Sequence, residues 1–299
     1  MEGARAREEQ TALWNGPAGR AWVDAQELLD RVFEPFQDVL LDPVAGGSRV
    51  LDVGCGTGST TLAVARRLGT HGRSVGIDIS EPMIAAARAR AQREGAAARF
   101  ICADAETHDL EPAGFDRIVS RFGVMFFDDP VRAFANLRRA GTAAAAMRFI
   151  AWRAVAENPF MTTAERAAAP LLPGLPARRP DAPGQFAFAD EVRVRRILQD
   201  SGWTDIEVRP IDVHCTFREQ DLVPYLTRLG PVGLVLQESD ERTRRRVVET
   251  VRAAFDPYVF GAEVRFTAAC WMIGARAPAL RGRRATTGPA APRRGWRSA

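Results

Sequence analysis

The chain has 299 residues, of which 46% are hydrophobic and 26% charged, proportions that exclude a disordered or fibrous polypeptide and allow a sizeable core. The 41 basic and 37 acidic residues give a formal charge of +4, but seven arginines fall within residues 276–299, which hold no acid. The first 275 residues therefore carry 34 bases against 37 acids, so the basic character belongs to a tail and does not argue for a nucleic-acid substrate.

In chain order, residues 12–41 place Trp22, Leu28, Leu29, Val32, Phe33, Phe36, Val39 and Leu40 at helical spacings, ended by Pro43 and Gly46-Gly47. A short apolar strand over 49–53 runs into glycines, and a helix follows over 59–68. Strands are predicted over 74–79, 98–103, 115–121 and 147–153, with helices opening at Glu81-Pro82 and spanning 130–140. This alternation implies an α/β fold, a doubly wound and mostly parallel seven-stranded sheet with helices on both faces. Residues 157–188, rich in proline and alanine, read as a loop-rich insertion with one short helix. Helices over 189–201, 219–229 and 239–254 and strands over 205–217 and 264–275 complete the body. The expected organisation is one domain over 1–276, with a helical cap at 12–41, substrate-cap insertions at 157–188 and 219–260, and a disordered arginine-rich tail at 277–299.

Every base is arginine; the absence of lysine excludes a Walker-type ATPase and Schiff-base chemistry. Cys55, Cys102, Cys215 and Cys270 form no C-x-x-C pair, so neither a zinc site nor a disulfide framework is expected, and reduced thiols point to a cytoplasmic protein. No apolar run reaches the roughly 18 residues of a membrane span. The N-terminus, MEGARAREEQ, lacks the apolar core of a secretion signal.

The chemistry concentrates in Leu51-Asp52-Val53-Gly54-Cys55-Gly56-Thr57-Gly58. Glycines at i, i+2 and i+4 after a strand let the backbone turn sharply and a ligand approach closely, and the helix that follows can hold an anion at its start. Asp78, twenty residues beyond Gly58, ends the second strand, where a carboxylate can accept both hydroxyls of a ribose. A dinucleotide site would need glycine at 59, where serine stands. Asp52, just before the glycines, would repel a pyrophosphate but suits an amino group. A nucleoside with an amino-acid tail, S-adenosylmethionine, fits both facts.

These residues carry a family resemblance. VLDVGCGTG resembles motif I of the class I S-adenosylmethionine-dependent methyltransferases, and GIDIS (76–80) the ribose-binding strand end. Cys102-Ala103-Asp104-Ala105-Glu106 resembles the adenine motif and Phe115-Asp116-Arg117-Ile118-Val119-Ser120 the fourth-strand motif, all in register across 48–154. SRFGVMFFDDP (120–130) and the AFANLRR helix are most similar to the small-molecule branch that includes the ubiquinone/menaquinone-biosynthesis methyltransferases. The resemblance implies S-adenosyl-L-methionine as cofactor, with Gly54, Gly56 and Thr57 at its methionine end and Asp78 on its ribose. It further implies Asp104 and Ala105 at adenine, Ser120 near the sulfonium, and Trp14 and Trp22 as a cover. The implied activity is methyl transfer to a small, fairly hydrophobic acceptor by in-line displacement.

The resemblance departs at 141–146, where relatives carry a Pro-Gly-Gly turn and this chain has Gly-Thr-Ala-Ala-Ala-Ala; alanine there predicts an extension of the preceding helix. Leu171, Leu172, Leu175, Phe186, Phe188, Tyr225, Leu229, Leu234 and Leu236 are the expected acceptor-pocket lining. No residue is singled out as a catalytic base: His71 reads as a solvent-facing turn residue, His108 as a surface-loop residue and His214 as a packed strand residue. No metal site is expected, and no Asn-Pro-Pro-aromatic motif follows the fourth strand, which disfavours DNA base methylation. Two other readings stay open: a non-catalytic S-adenosylmethionine-binding regulator, and an RNA methyltransferase that uses the basic tail.

Overall fold

In a computed structural model the structure describes residues 2–42, 44, 47–178 and 182–279. The expected disordered tail falls almost wholly at 280–299, outside the described residues, as do Pro43, Gly46 and Pro180. The strands are β1 (Arg49–Val53), β2 (Arg73–Asp78), β3 (Ala98–Cys102), β4 (Phe115–Arg121), β5 (Gly141–Trp152), β6 (Thr204–Arg218), β7 (Val259–Phe260) and β8 (Glu263–Arg276). They join one sheet in the order β3-β2-β1-β4-β5-β8-β6, with β7 paired to β8. The sheet thus has eight strands where seven were expected. The addition is two residues long and forms a hairpin with β8 through Gly261, whose φ of +63° serves the turn.

β1 to β5 are parallel, and β8 and β6 are antiparallel. β1 and β2 are buried almost throughout, the polar Asp52, Ser74 and Asp78 included, because helices cover both their faces. β6, the last strand in the order, alternates buried and exposed residues, so one of its faces meets water. That alternation corrects the reading of His214, which is exposed on β6 with its Nδ1 3.2 Å from Thr267 Oγ1.

The amphipathic N-terminal segment is broken into helices Glu2–Asn15, Pro17–Asp24, Gln26–Phe33 and Pro35–Leu41. Two of the breaks stand at prolines in a first helical turn, where the missing N–H costs nothing. Leu28, Leu29, Val32, Phe33, Phe36 and Leu40 are buried in the main core. The second half adds helices Pro159–Ala168, Glu191–Asp200, Leu222–Arg228 and Glu241–Ala254, together with Gly230–Gln237, which the apolar run there did not signal as a separate helix.

The alanine run at 141–146 is not helical. β5 begins at Gly141, and the register with β4 passes from Phe115↔Gly141 to Arg117↔Ala146, so the extra residues bulge out of the ladder. Pairing along β4 wins over alanine's helical preference, and the bulge puts the exposed Ala144 at φ +62°. Ala144→Gly should relieve that conformation and raise the unfolding free energy by about 0.5–1 kcal/mol in a denaturant titration. A loss of stability would contradict the bulge.

Candidate functional site

The strand order reverses between β1 and β4, and the loops leaving their carboxyl ends diverge there to leave a crevice. Gly54 and Gly123 abut at this point. A Cβ on Gly54 would stand 2.5 Å from the Cα of Gly123, and Gly54 also has φ +65°. The glycine there is demanded both by conformation and by close backbone approach. Gly58, with φ +85°, turns the chain into helix Ser59–Leu68; a Cβ on it would press within 3.0 Å of Ala87 and the Phe100 ring.

A single continuous cavity of about 980 Å3 runs along the carboxyl edge of the parallel strands. Of the residues singled out from sequence, Gly54, Gly56, Thr57, Asp78, Asp104, Ala105 and Trp22 line it. Asp52, Gly58 and Ser120 do not. Asp52 is 1% exposed and lies under the loop, its Oδ2 accepting the Thr61 hydroxyl at 2.7 Å. Ser120 is equally buried: its hydroxyl donates to the Val53 carbonyl at 2.7 Å and accepts the Gly123 N–H at 3.2 Å. Both hold the loop in shape from beneath.

Asp78 is the polar hinge of the cavity. Its Oδ2 accepts the Gly56 N–H at 2.8 Å and its Oδ1 the Ser80 N–H at 2.9 Å. A carboxylate offers about four acceptor positions, so both oxygens retain capacity for ligand hydroxyls. Burial raises its pKa, opposed by these backbone hydrogen bonds. Burial also raises Asp52, to about 7, with the Thr61 hydroxyl and the charge of Arg121 opposing. The Cys55 thiol in the loop is buried and pushed well up, as suits a filler rather than a nucleophile. Beyond β3, Asp104 Oδ1 accepts the Glu106 N–H at 2.8 Å, and Asn136 caps the Ala105 and His108 carbonyls at 2.9 Å. His108 does not line the cavity.

An aromatic cover closes the same end. Trp14 packs edge-on against Trp22 and Phe126, with centroids 6.0 and 5.1 Å apart. Its helix is fastened next to Asp78: Asn15 Nδ2 donates to the Ile79 carbonyl at 3.1 Å, Asn15 Oδ1 accepts the Glu81 N–H at 2.8 Å, and the Ser80 hydroxyl donates to the Trp14 carbonyl at 2.6 Å. Sequence reasoning missed Asn15, since an asparagine before Gly16-Pro17 reads simply as a helix end.

The far end of the cavity is mainly apolar, although Glu165, Arg178, Gln185 and Arg228 also line the cavity. Phe160, Met161, Phe186, Tyr225, Leu229 and Phe255 line it, with Trp152 at the end of β5. Phe122 lies between the two ends at φ +64°, stacked on Trp152 at 4.7 Å. A bulky residue in that conformation is strained and is characteristic of functional sites. Of the expected lining, Phe186, Tyr225, Leu229 and Leu234 reach the cavity. Leu171, Leu172, Leu175, Phe188 and Leu236 pack in or against the main core and do not line the cavity. All four cysteines are free, and no cluster among the described residues could hold a metal ion. Among the described residues no helix is long and apolar enough to cross a membrane.

Residues 50–142 match a protein family described as a methyltransferase domain. Aklanonic acid methyltransferase DauC of Streptomyces sp. (strain C5) is 35% identical over 135 residues, covering 42% of this chain and 61% of the relative. Demethylmenaquinone methyltransferase of Thermus thermophilus is 35% identical over 91 residues, 30% of this chain and 41% of that protein. The chain thus spans under two thirds of the length of both. Among solved structures, the YcgJ protein of Bacillus subtilis superposes with a TM-score of 0.52 at 17% identity, over 79% of this chain and 95% of that one, a likeness of fold.

Proposed function

We propose that this chain, a member of the class I S-adenosylmethionine-dependent methyltransferases, transfers a methyl group to a small, largely apolar acceptor. The carrying observation is the continuity of the cavity, which joins a glycine loop and ribose-type carboxylate at one end to an aromatic chamber at the other. About 980 Å3 stands at the upper end of small-molecule sites, enough for a nucleoside cofactor and a second ligand together.

The cofactor's fit rests on the donor set. Asp78 takes the ribose, Asp104 and Ala105 face the base, and Gly54, Gly56 and Thr57 face the methionine end, with Trp22 above. Asp52, Gly58 and Ser120 serve from beneath by fixing the loop. When bound, the cofactor supplies an electrophilic methyl on a sulfonium, open to in-line displacement by an acceptor nucleophile. The chain's task is then to orient the acceptor, exclude water and face the positive charge with aromatic rings. No dyad of base and nucleophile is required if the acceptor already carries an anionic or lone-pair nucleophile.

The chamber formed by 157–188 and 219–260 is read as the acceptor site. The relative named for aklanonic acid supports an acceptor that carries a carboxylic acid, and the aromatic rings of the lining favour one with a flat apolar body. Incubating the full chain with S-adenosylmethionine and a panel of hydroxylated aromatic acids should release S-adenosylhomocysteine with at least one of them. Cofactor binding with no release across the panel would argue against the acceptor class.

A further inference from the structure

Four arginines share one face of the sheet outside the cavity. The register aligns Val119, Arg148, Gly274 and Glu207 across β4, β5, β8 and β6, and next to them Arg117, Ala146 and Arg276. Arg209 stands two residues beyond Glu207 on β6, so it takes the same face. With strands about 4.8 Å apart, the four span roughly 14 Å. Small residues make the floor between them: Ala146, and Gly274, where an added Cβ would meet nothing nearer than the Met147 carbonyl at 4.0 Å. Arg148 Nη1 donates to the Val39 carbonyl at 3.2 Å. The side chains of Arg117, Arg209 and Arg276 make no hydrogen bond or ion pair among the described residues. Burial draws the Arg148 guanidinium below its ordinary value, Arg209 and Arg117 add to this, and Asp42 and Glu207 oppose it. Four bases thus stand near two acids, in a body whose first 275 residues carry 34 bases against 37 acids. The cluster is therefore not a consequence of composition. None of the four lines the cavity.

The makeup of this face selects its partner. Among the described residues the exposed large hydrophobic side chains are Leu13, Val155, Val192, Val223 and Phe260, all elsewhere. The face therefore offers no aromatic or apolar anchor of a protein interface, no apolar edge to enter a bilayer and no ring on which unpaired bases could stack. What it offers is positive charge over an open floor. A nucleic-acid duplex complements that, with one phosphate charge per roughly 1.7 Å of its axis and counterions to release. Beyond Arg276 the sequence continues with six more arginines and no acid, which adds to the same attraction. We propose that this face docks a nucleic-acid duplex without regard to sequence, its phosphates held by Arg117, Arg148, Arg209 and Arg276. The duplex is a tether and not the methyl acceptor, since the face stands apart from the cavity.

Fluorescence anisotropy on the full chain, with a labelled DNA duplex of about 20 base pairs between about 50 and 200 mM salt, tests this. The wild type should bind two unrelated duplex sequences equally, with log K falling linearly against log salt. The double variant Arg117→Gln, Arg209→Gln removes two side chains that hold nothing in the fold. It should lower affinity at the lower salt by about 10- to 100-fold and flatten the slope by about 1.8, or 0.9 for each phosphate released. Exposed Arg209→Gln alone should flatten it by about 0.9 and serves if a melting curve shows the double variant unfolded. A wild type that ignores the duplex at low salt, whether or not it binds phosphatidylserine vesicles, would overturn the proposal. So would folded variants with the wild-type slope, which would leave binding to the arginines beyond 276.

Discussion

Asp78→Ala is expected to weaken S-adenosylhomocysteine binding by at least about 100-fold, because in the proposed pose the carboxylate accepts two charge-assisted hydrogen bonds from the ribose at about 1.5–3 kcal/mol each. The loss has a second source in the loop itself. The same carboxylate accepts the Gly56 and Ser80 N–H groups, so its removal frees the glycine turn. Asp78→Asn retains a carbonyl acceptor without charge and should fall between the two. Calorimetry with a melting curve for each variant separates lost affinity from lost folding. A folded Asp78→Ala protein with wild-type affinity would contradict the ribose assignment.

Asp52→Asn is expected to remove a pH dependence of stability amounting to a few kcal/mol. Burial raises the folded pKa of Asp52 from 3.8 to about 7, so between those values the unfolded chain loses a proton that the folded chain keeps. The stabilisation from this group is complete below the unfolded pKa and declines as pH rises through the folded value. Relative to Asp52→Asn, the wild type should therefore lose unfolding free energy between about pH 4 and pH 7 and run parallel above it. Asparagine can still accept the Thr61 hydroxyl, so the comparison isolates the charge. Denaturant titrations across that interval measure it; parallel curves throughout would mean that Asp52 is ionised in the fold.

Much of the half that carries the glycine loop was legible because it is local. Strand β1, the glycine turn and helix Ser59–Leu68 follow from an apolar run, three glycines and a helical pattern within twenty residues. Asp78 and Asp104 were legible because parallel strands bring their carboxyl ends to one edge. Which face a side chain takes there was not. Asp52 and Ser120 turn beneath the loop toward Thr61 and Val53, an outcome set by tertiary hydrogen bonds across 9 and 67 residues. The bulge at 141–146 was hidden for a related reason: alanine's local preference is helical, and only the neighbouring strand makes the segment extended. The acceptor chamber was least legible, because leucines in the insertion carry no mark that separates core from lining.

Every role proposed in the cavity depends on one cofactor occupying one place. Titrating the full chain with S-adenosylhomocysteine in a calorimeter tests it most directly. One molecule should bind per chain, with the heat abolished or sharply reduced in Asp78→Ala. Absence of binding by the folded wild-type chain, or binding indifferent to Asp78, would contradict it.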